Sequence, residues 1–369
     1  MFIAFVFLIQ SFTIGIVIVL LNRYMSFARK PSIVPAAVSR EHERLKNMDR
    51  ILSISLDANG CFRVKTPRIL SRNGAVNEEE RDVIYAGLTA FLNNCFFSDE
   101  CSLVVNAKTS GERLEKTKEL GPKRKKSRIH YETKDVSRMK NAREEFETKI
   151  FKKKVISPQD RGKKRGNYIH RQLQYIHEYS IGIINKQPKL YINGLHPYTK
   201  EVLNLLNRFG LRMWLPEMAI YDEELGVATM VDLIAYDDKG KMFVIEYKTT
   251  TSKKRSFEKF DQESIGTVKN LKALIRPGGY IWKSPLHKAY LQAAFCVYML
   301  KNFYEMQIEC GCVIMVNDEG ATMYECPKAY VDEIPRLRKY AITKKRERKH
   351  RTKTNSISTN SNRSVERNK

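Results

Sequence analysis

Two hydrophobic periods divide the second half of this chain into helices and strands. Ile169, Leu173 and Ile176 fall at helical spacing and predict a core-facing helix over 166–185. Pro197 opens a second helix carrying Val202, Leu205, Leu206 and Phe209, and Gly210 ends it. Three apolar, β-branched runs follow at 211–221, 227–236 and 241–249, then a helix over 287–305. A closing hairpin joins 308–316 to 321–325 around Asn317-Asp318-Glu319-Gly320. Upstream, 51–56 and 61–65 read as a hairpin turned at Asn59-Gly60. Asn77 with Glu80 three places on predicts a helix start, continued by Val83, Ile84, Leu88, Phe91 and Leu92. Residues 106–165 have almost no apolar periodicity, apart from a helical patch around Glu144-Glu145-Phe146. After Pro335 the pattern gives way to a basic run and a Ser/Asn-rich end, a disordered composition.

Charge and cysteine usage change this picture in three places. The 369 residues suffice for a buried core in one large domain or two. Sixty-six Lys and Arg against 41 Asp and Glu leave a net charge of +25, which implies a polyanionic partner: nucleic acid or an anionic membrane surface. Much of the surplus sits in 106–165 and 336–369, which also read as solvated arms. The seven cysteines, Cys61, Cys95, Cys101, Cys296, Cys310, Cys312 and Cys326, contain no Cys-x-x-Cys pair and suit a reducing compartment better than a disulfide scaffold. Cys310-Gly311-Cys312 lies in a strand-like run with both thiols pointing the same way, but lacks further metal-ligand spacing. Phe2 to Leu21 carries no charge and has the roughly 20-residue length that crosses a bilayer. Arg23, Arg29 and Lys30 follow it, so the positive-inside rule places the C-terminal part on the cytoplasmic or nucleoplasmic side. A cleaved signal peptide is the other reading, without the basic start and small-residue cleavage site such peptides carry. Basic clusters at 122–128 and 344–351 also suit a nuclear or viral envelope setting.

The division that results is a transmembrane anchor (1–23), a linker (24–47), a small α+β region (48–105), a basic, partly disordered insertion (106–159), a principal α/β domain (160–335) and a basic disordered tail (336–369).

The chemistry concentrates on the hairpin of 227–236 and 241–249. Asp237-Asp238-Lys239-Gly240 predicts a three-residue loop, Asp238 to Gly240, with glycine in the left-handed conformation. That register sets Asp232 opposite Glu246, where paired Cβ atoms lie about 4.5–5.5 Å apart. Alternation puts Lys248 on the same face as Glu246. Two carboxylates and one lysine on an otherwise apolar hairpin are costly to bury without a cation. They outline a site for metal-assisted phosphodiester hydrolysis.

The order helix–helix–hairpin–helix, with these residues, resembles the RecB-like branch of the PD-(D/E)xK nuclease superfamily, with similarity to mitochondrial genome-maintenance exonucleases and to phage and viral relatives. The resemblance covers roughly 160–330 and implies a restriction-endonuclease-like α/β core, a mixed central sheet flanked by helices. Gly166-Asn167-Tyr168-Ile169-His170 is similar to the family's helix bearing a metal-binding histidine, so His170 is an expected ligand; His177, about 10 Å further along the helix, is not. Pro216-Glu217 matches a glutamate the family often has ahead of its aspartate, as an outer carboxylate or an ordinary exposed residue. Asp232 and Glu246 are the expected carboxylate ligands, with the Tyr247 backbone carbonyl completing the shell. Thr229 stands where the family usually has glycine. Lys248 is expected to act on the attacking water and on the developing phosphorane charge. Tyr290-Leu291-Gln292 through Tyr298 resembles a Gln-x-x-x-Tyr helix in which Gln292 braces Lys248; Cys296 occupies the tyrosine position.

The resemblance therefore implies an enzyme, a metal-dependent nuclease acting on DNA, with RNA as the other substrate class, and exonucleolytic in mode. Oxygen ligands with an imidazole suit Mg²⁺ or Mn²⁺. The cysteine spacing of iron–sulfur relatives is not met, so no cluster is expected. The alternative is a catalytically silent, membrane-tethered nucleic-acid-binding or packaging protein.

Overall fold

The structure, a computed structural model, describes residues 35–46, 48, 54–56, 62–72, 75–98, 101, 104–106, 136–151, 157–180, 194–250, 272–276, 279–282 and 285–366. In chain order the elements are α1 (Ala36–Lys46), β1 (Ile54–Leu56), β2 (Phe62–Arg72), β3 (Ala75–Gly87), α2 (Leu88–Phe96), β4 (Val104–Asn106), α3 (Val136–Phe151), α4 (Pro158–Ser180), α5 (Pro197–Arg208), β5 (Arg212–Asp222), β6 (Val227–Tyr236), β7 (Met242–Thr249), β8 (Lys272–Arg276), β9 (Gly279–Trp282), α6 (Pro285–Phe303), β10 (Ile308–Asn317), β11 (Gly320–Glu325) and α7 (Lys328–Glu366).

An eight-stranded mixed sheet runs β1-β2-β3-β6-β7-β10-β11, with β5 also paired to β6; β4, β8 and β9 form a separate three-stranded sheet. β6 and β7 are antiparallel, β7 and β10 parallel, and β10 and β11 antiparallel. Helices cover both faces of the large sheet. On one face, α6 is apolar nearly all round and packs with α1, α2 and α7 through Val38, Leu92, Phe96, Phe295 and Leu337. Gly311 admits this close approach: a Cβ there would meet Ala293 Cβ at 3.2 Å and Val297 Cγ2 at 3.3 Å. On the other face, Ile169 and Leu173 of α4 and Val202, Leu205 and Leu206 of α5 pack on Leu233, Ile245, Tyr247 and Ile314.

Local signals explain the sharper boundaries. His196 caps α5 by accepting the Tyr198 N–H, Pro197 takes the first turn, and Gly210 at φ +66° closes it. In the β6–β7 turn, Asp237 accepts from the N–H groups of Lys239 and Lys241, each at 2.9 Å, and Gly240 adopts φ +78°. The loop is therefore the three-residue one expected, and the pairs Tyr236–Met242 through Leu233–Ile245 hold the expected register.

Four expectations need correction. The helix start at Asn77 is instead strand: β3 pairs with the preceding β2 along eleven positions, and this hairpin ladder overrides a local capping pattern, so α2 begins only at Leu88. The 24–47 linker contains α1, whose Val38 and Leu45, two turns apart, are buried against the core. In the 106–159 insertion, α3 is docked, with Arg143 and Glu147 buried; 107–135 lie outside the described residues. The tail continues as helix to Glu366; Tyr330, Ile334, Leu337 and Ala341 keep one face of the first part of α7 on the core, while Pro335 lies exposed on the other. Among the described residues no helix is long and apolar enough to cross a membrane; the Phe2–Leu21 run lies outside them.

Candidate metal and catalytic site

Three adjacent strands set three carboxylates in a row. In the β6–β7 ladder the last pair is Leu233–Ile245, so Glu246 falls next across from Asp232. On the other side Pro216 pairs with Leu233 and Met218 with Val231, so Glu217 falls across from the same aspartate. The β6–β7 ladder stops there, and the Asp232 carboxylate accepts the freed Tyr247 N–H at 2.7 Å through Oδ2. Glu217 is held at φ +52°, a left-handed conformation uncommon for a residue with a side chain. Such strain persists only where the surroundings over-determine it, and it concentrates at functional positions.

His170 meets this row from α4. Burial of its neighbour Ile169 fixes the helix face, and the His170 ring stands edge-on to Tyr247, with centroids 5.6 Å apart. His170 Nδ1 lies 2.9 Å from Glu217 Oε1 and 3.5 Å from Asp232 Oδ1. Burial alone would lower the imidazole pKa; the Asp232 charge and the Glu217 hydrogen bond outweigh it and raise it to about 9. One ligand atom from each of His170, Glu217 and Asp232 lies within 4.8 Å of the others, the one such His/Cys/Asp/Glu group among the described residues.

Glu246 turns the other way. It is fully buried, and Oε2 accepts from Gln292 Nε2 at 2.6 Å and from Lys248 Nζ at 3.3 Å. Cys296 Sγ donates to Oε1 at 3.7 Å, and Lys248 Nζ also donates to Gln292 Oε1 at 3.2 Å. Burial raises the Glu246 pKa, and the Asp232 charge raises it further against the pull of Lys248. For Lys248, burial works against the ammonium, but Glu246 and Asp232 outweigh it and raise the pKa, so the group is held charged with about a third of its side chain exposed.

All of the expected site residues thus converge, with a different division of labour. Gln292 sits between Lys248 and Glu246. Cys296 reaches the same carboxylate, while Tyr298 faces away, beneath the Arg338 guanidinium. Of the expected ligands His170, Asp232 and Glu246, the first two fall with Glu217 in the compact group, and Glu246 lies outside it. Tyr247 enters through its N–H. His177 is buried away from this group, with a pKa lowered to about 4 by burial and by His42. Cys310 and Cys312 do point the same way, Sγ atoms 3.9 Å apart. Glu217 was undervalued because nothing in the local sequence marks its strand offset; the β5–β6 register marks it.

No family model and no curated protein matches the chain. Among solved structures, the one described as "Crystal structure of SSO0001" matches at 18% identity and a TM-score of 0.19, covering 56% of this chain and 83% of that one.

Proposed function

We propose that the chain is a metal-dependent nuclease of the RecB-like PD-(D/E)xK kind, hydrolysing phosphodiester bonds of DNA exonucleolytically, on a restriction-endonuclease-like core built from β5–β7, β10 and α4–α6. The observation that carries this reading is the carboxylate row Glu217–Asp232–Glu246, with His170 over one end and Lys248 and Gln292 over the other.

The donor set fits a divalent cation. Carboxylate oxygens suit Mg²⁺ or Mn²⁺, and the imidazole tilts the preference toward Mn²⁺. His170, Glu217 and Asp232 would hold it, with Glu246 held on the other flank of Asp232 by Gln292 and Lys248. When bound, such an ion polarises a phosphoryl oxygen and lowers the pKa of a coordinated water. The chain's own groups do the rest. The Tyr247 N–H fixes the Asp232 carboxylate, and Glu217 orients the His170 ring. Lys248 presents an ammonium to the negative charge that grows on the phosphoryl oxygens, and Gln292 holds both that ammonium and its carboxylate partner in place. The apolar Phe2–Leu21 run would tether the enzyme to a membrane, with the basic segments holding the polyanion in a salt-sensitive way.

The test is a Mg²⁺ and Mn²⁺ titration of the full chain on end-labelled linear, nicked and circular DNA. Metal-dependent degradation of linear DNA is expected, falling at least about a hundredfold in Lys248→Ala and Asp232→Ala. Undiminished cleavage in Lys248→Ala, or none with either metal, overturns the reading.

A further inference from the structure

One charged face beside the site has no role in the chemistry above. On α4, Arg165, Ile169, Leu173 and Ile176 are buried, which turns Lys163, Lys164, Asn167 and Arg171 outward. Lys164, Asn167 and Arg171 follow at spacings of three and four, a single strip along the helix. Lys163 lies two turns before His170, about 10 Å along the axis. His170 borders this strip, and its ring touches Glu217 and Asp232.

Lys163, Lys164 and Arg171 make no ion pair or side-chain hydrogen bond among the described residues. The one acid in the strip's first turn, Asp160, is engaged instead by Ser157, whose Oγ donates to Oδ2 at 2.7 Å. Among the described residues the face is therefore an unneutralised cationic surface. The helix also points it the right way. Gly166 abuts the Thr249 side chain, where a Cβ would sit 3.7 Å from Oγ1, so the first half of α4 passes over the end of β7 just beyond Lys248. The seven-residue step from Lys164 to Arg171 rises about 10 Å, and the long Lys and Arg side chains extend that reach along a strand.

We propose that this face of α4 is the track for the phosphodiester backbone of a DNA strand. Lys163, Lys164 and Arg171 pair with successive phosphates, Asn167 donates a hydrogen bond between them, and the strand is led to the His170–Glu217–Asp232 group. What the strand is led to rests on the nuclease reading; the binding itself does not.

The test measures binding of the full chain to a fluorescent 25-nucleotide single strand in EDTA, across a salt series. Lys163→Glu/Lys164→Glu is compared with Lys239→Glu/Lys301→Glu, an equal change of charge at exposed positions at the far end of the sheet. The first pair is expected to weaken DNA binding at least about tenfold. It should also flatten the plot of log K against log salt by about 1.4, or 0.7 for each lost single-strand contact. The second pair should stay within about twofold. Equal weakening by both pairs, an unchanged salt slope, tighter binding of the same-sequence RNA by the natural chain, or a loss confined to anionic vesicles each overturns the proposal. Arg171→Gln replaces the first pair if that variant melts early, with a slope change of about 0.7 expected. A chain that binds DNA on this face but cuts nothing refutes the nuclease reading and leaves this one standing.

Discussion

Replacing Glu147 by leucine tests how α3 is held against the core. Glu147 is 5% exposed and bridges two guanidiniums. Arg165 Nε donates to Oε1 at 2.5 Å and Nη2 to Oε2 at 3.2 Å, while Arg143 Nη1 lies 3.6 Å from Oε2. Arg143 keeps a second partner, Asp318, through Nε at 2.7 Å and Nη2 at 3.1 Å. Among the described residues Arg165 has no second carboxylate, so Glu147→Leu strands it in the interior. Breaking one half of a buried pair in this way costs about 3–5 kcal/mol. The titration gives a second route to the magnitude. Burial opposes the Glu147 carboxylate, but His196 and Arg165 outweigh it and hold its pKa at about 2, against 4.5 when unperturbed. At about 1.4 kcal/mol per pKa unit this difference corresponds to about 3 kcal/mol, in agreement. Because the folded pKa is the lower one, the contribution is fully present above pH 4.5 and is lost as pH falls through about 2. Urea unfolding of the two proteins should therefore differ by about 3 kcal/mol at pH 7, and the gap should shrink steadily below pH 4.5. Adding Arg165→Met should restore most of the loss, and hydrogen exchange over Val136–Phe151 reports whether α3 alone is released. A gap below about 1 kcal/mol at pH 7, or one indifferent to acid, refutes the reasoning.

Three shorter predictions concern the site and its frame. Gln292→Ala removes the group shared by Lys248 and Glu246 and should lower kcat on DNA about 10–100-fold with KM little changed; a purely KM effect would count against a bracing role. Glu217→Gln should weaken Mn²⁺ binding, read calorimetrically or by electron spin resonance, at least about tenfold, whereas unchanged affinity would remove Glu217 from the cation's surroundings. Gly311→Val forces a side chain against Ala293 and Val297 and should destabilise the fold by about 1–3 kcal/mol in a denaturant melt, while a neutral result would show that α6 can shift.

The hairpin was legible because short-range rules determine it. Asp237 and Gly240 select the loop, the loop selects the register, and the register places Asp232 across from Glu246. Helices α4, α5 and α6 were legible because their apolar stripes are long relative to the noise of single residues. Where pairing or packing between elements decides, the local pattern misled. Asn77 and Glu80 have the spacing of a helix cap, yet β2 supplies a partner strand for the whole stretch. The tail reads as disordered by composition, yet four apolar residues at spacings of three and four give one face of α7 a seat on α6. Composition averages over a segment, whereas burial needs only one side of it.

Glu217 belongs to the same lesson at the scale of the site. Its role depends on β5 pairing with β6 in one register, which shifts between Met213 and Leu215. Without that irregularity every later residue of β5 would move by one, and Glu217 would no longer face Asp232. The shift is a property of the folded ladder that no run of apolar letters announces. It also accounts for the division among the acids. Asp232, on the middle strand, has a carboxylate on each side; among the described residues the Glu246 side is occupied by Gln292, Lys248 and Cys296, and the Glu217 side by His170. The less encumbered pair is the one left with lone pairs to offer, so the position at which a cation would be received is set by what α6 already holds on the opposite flank.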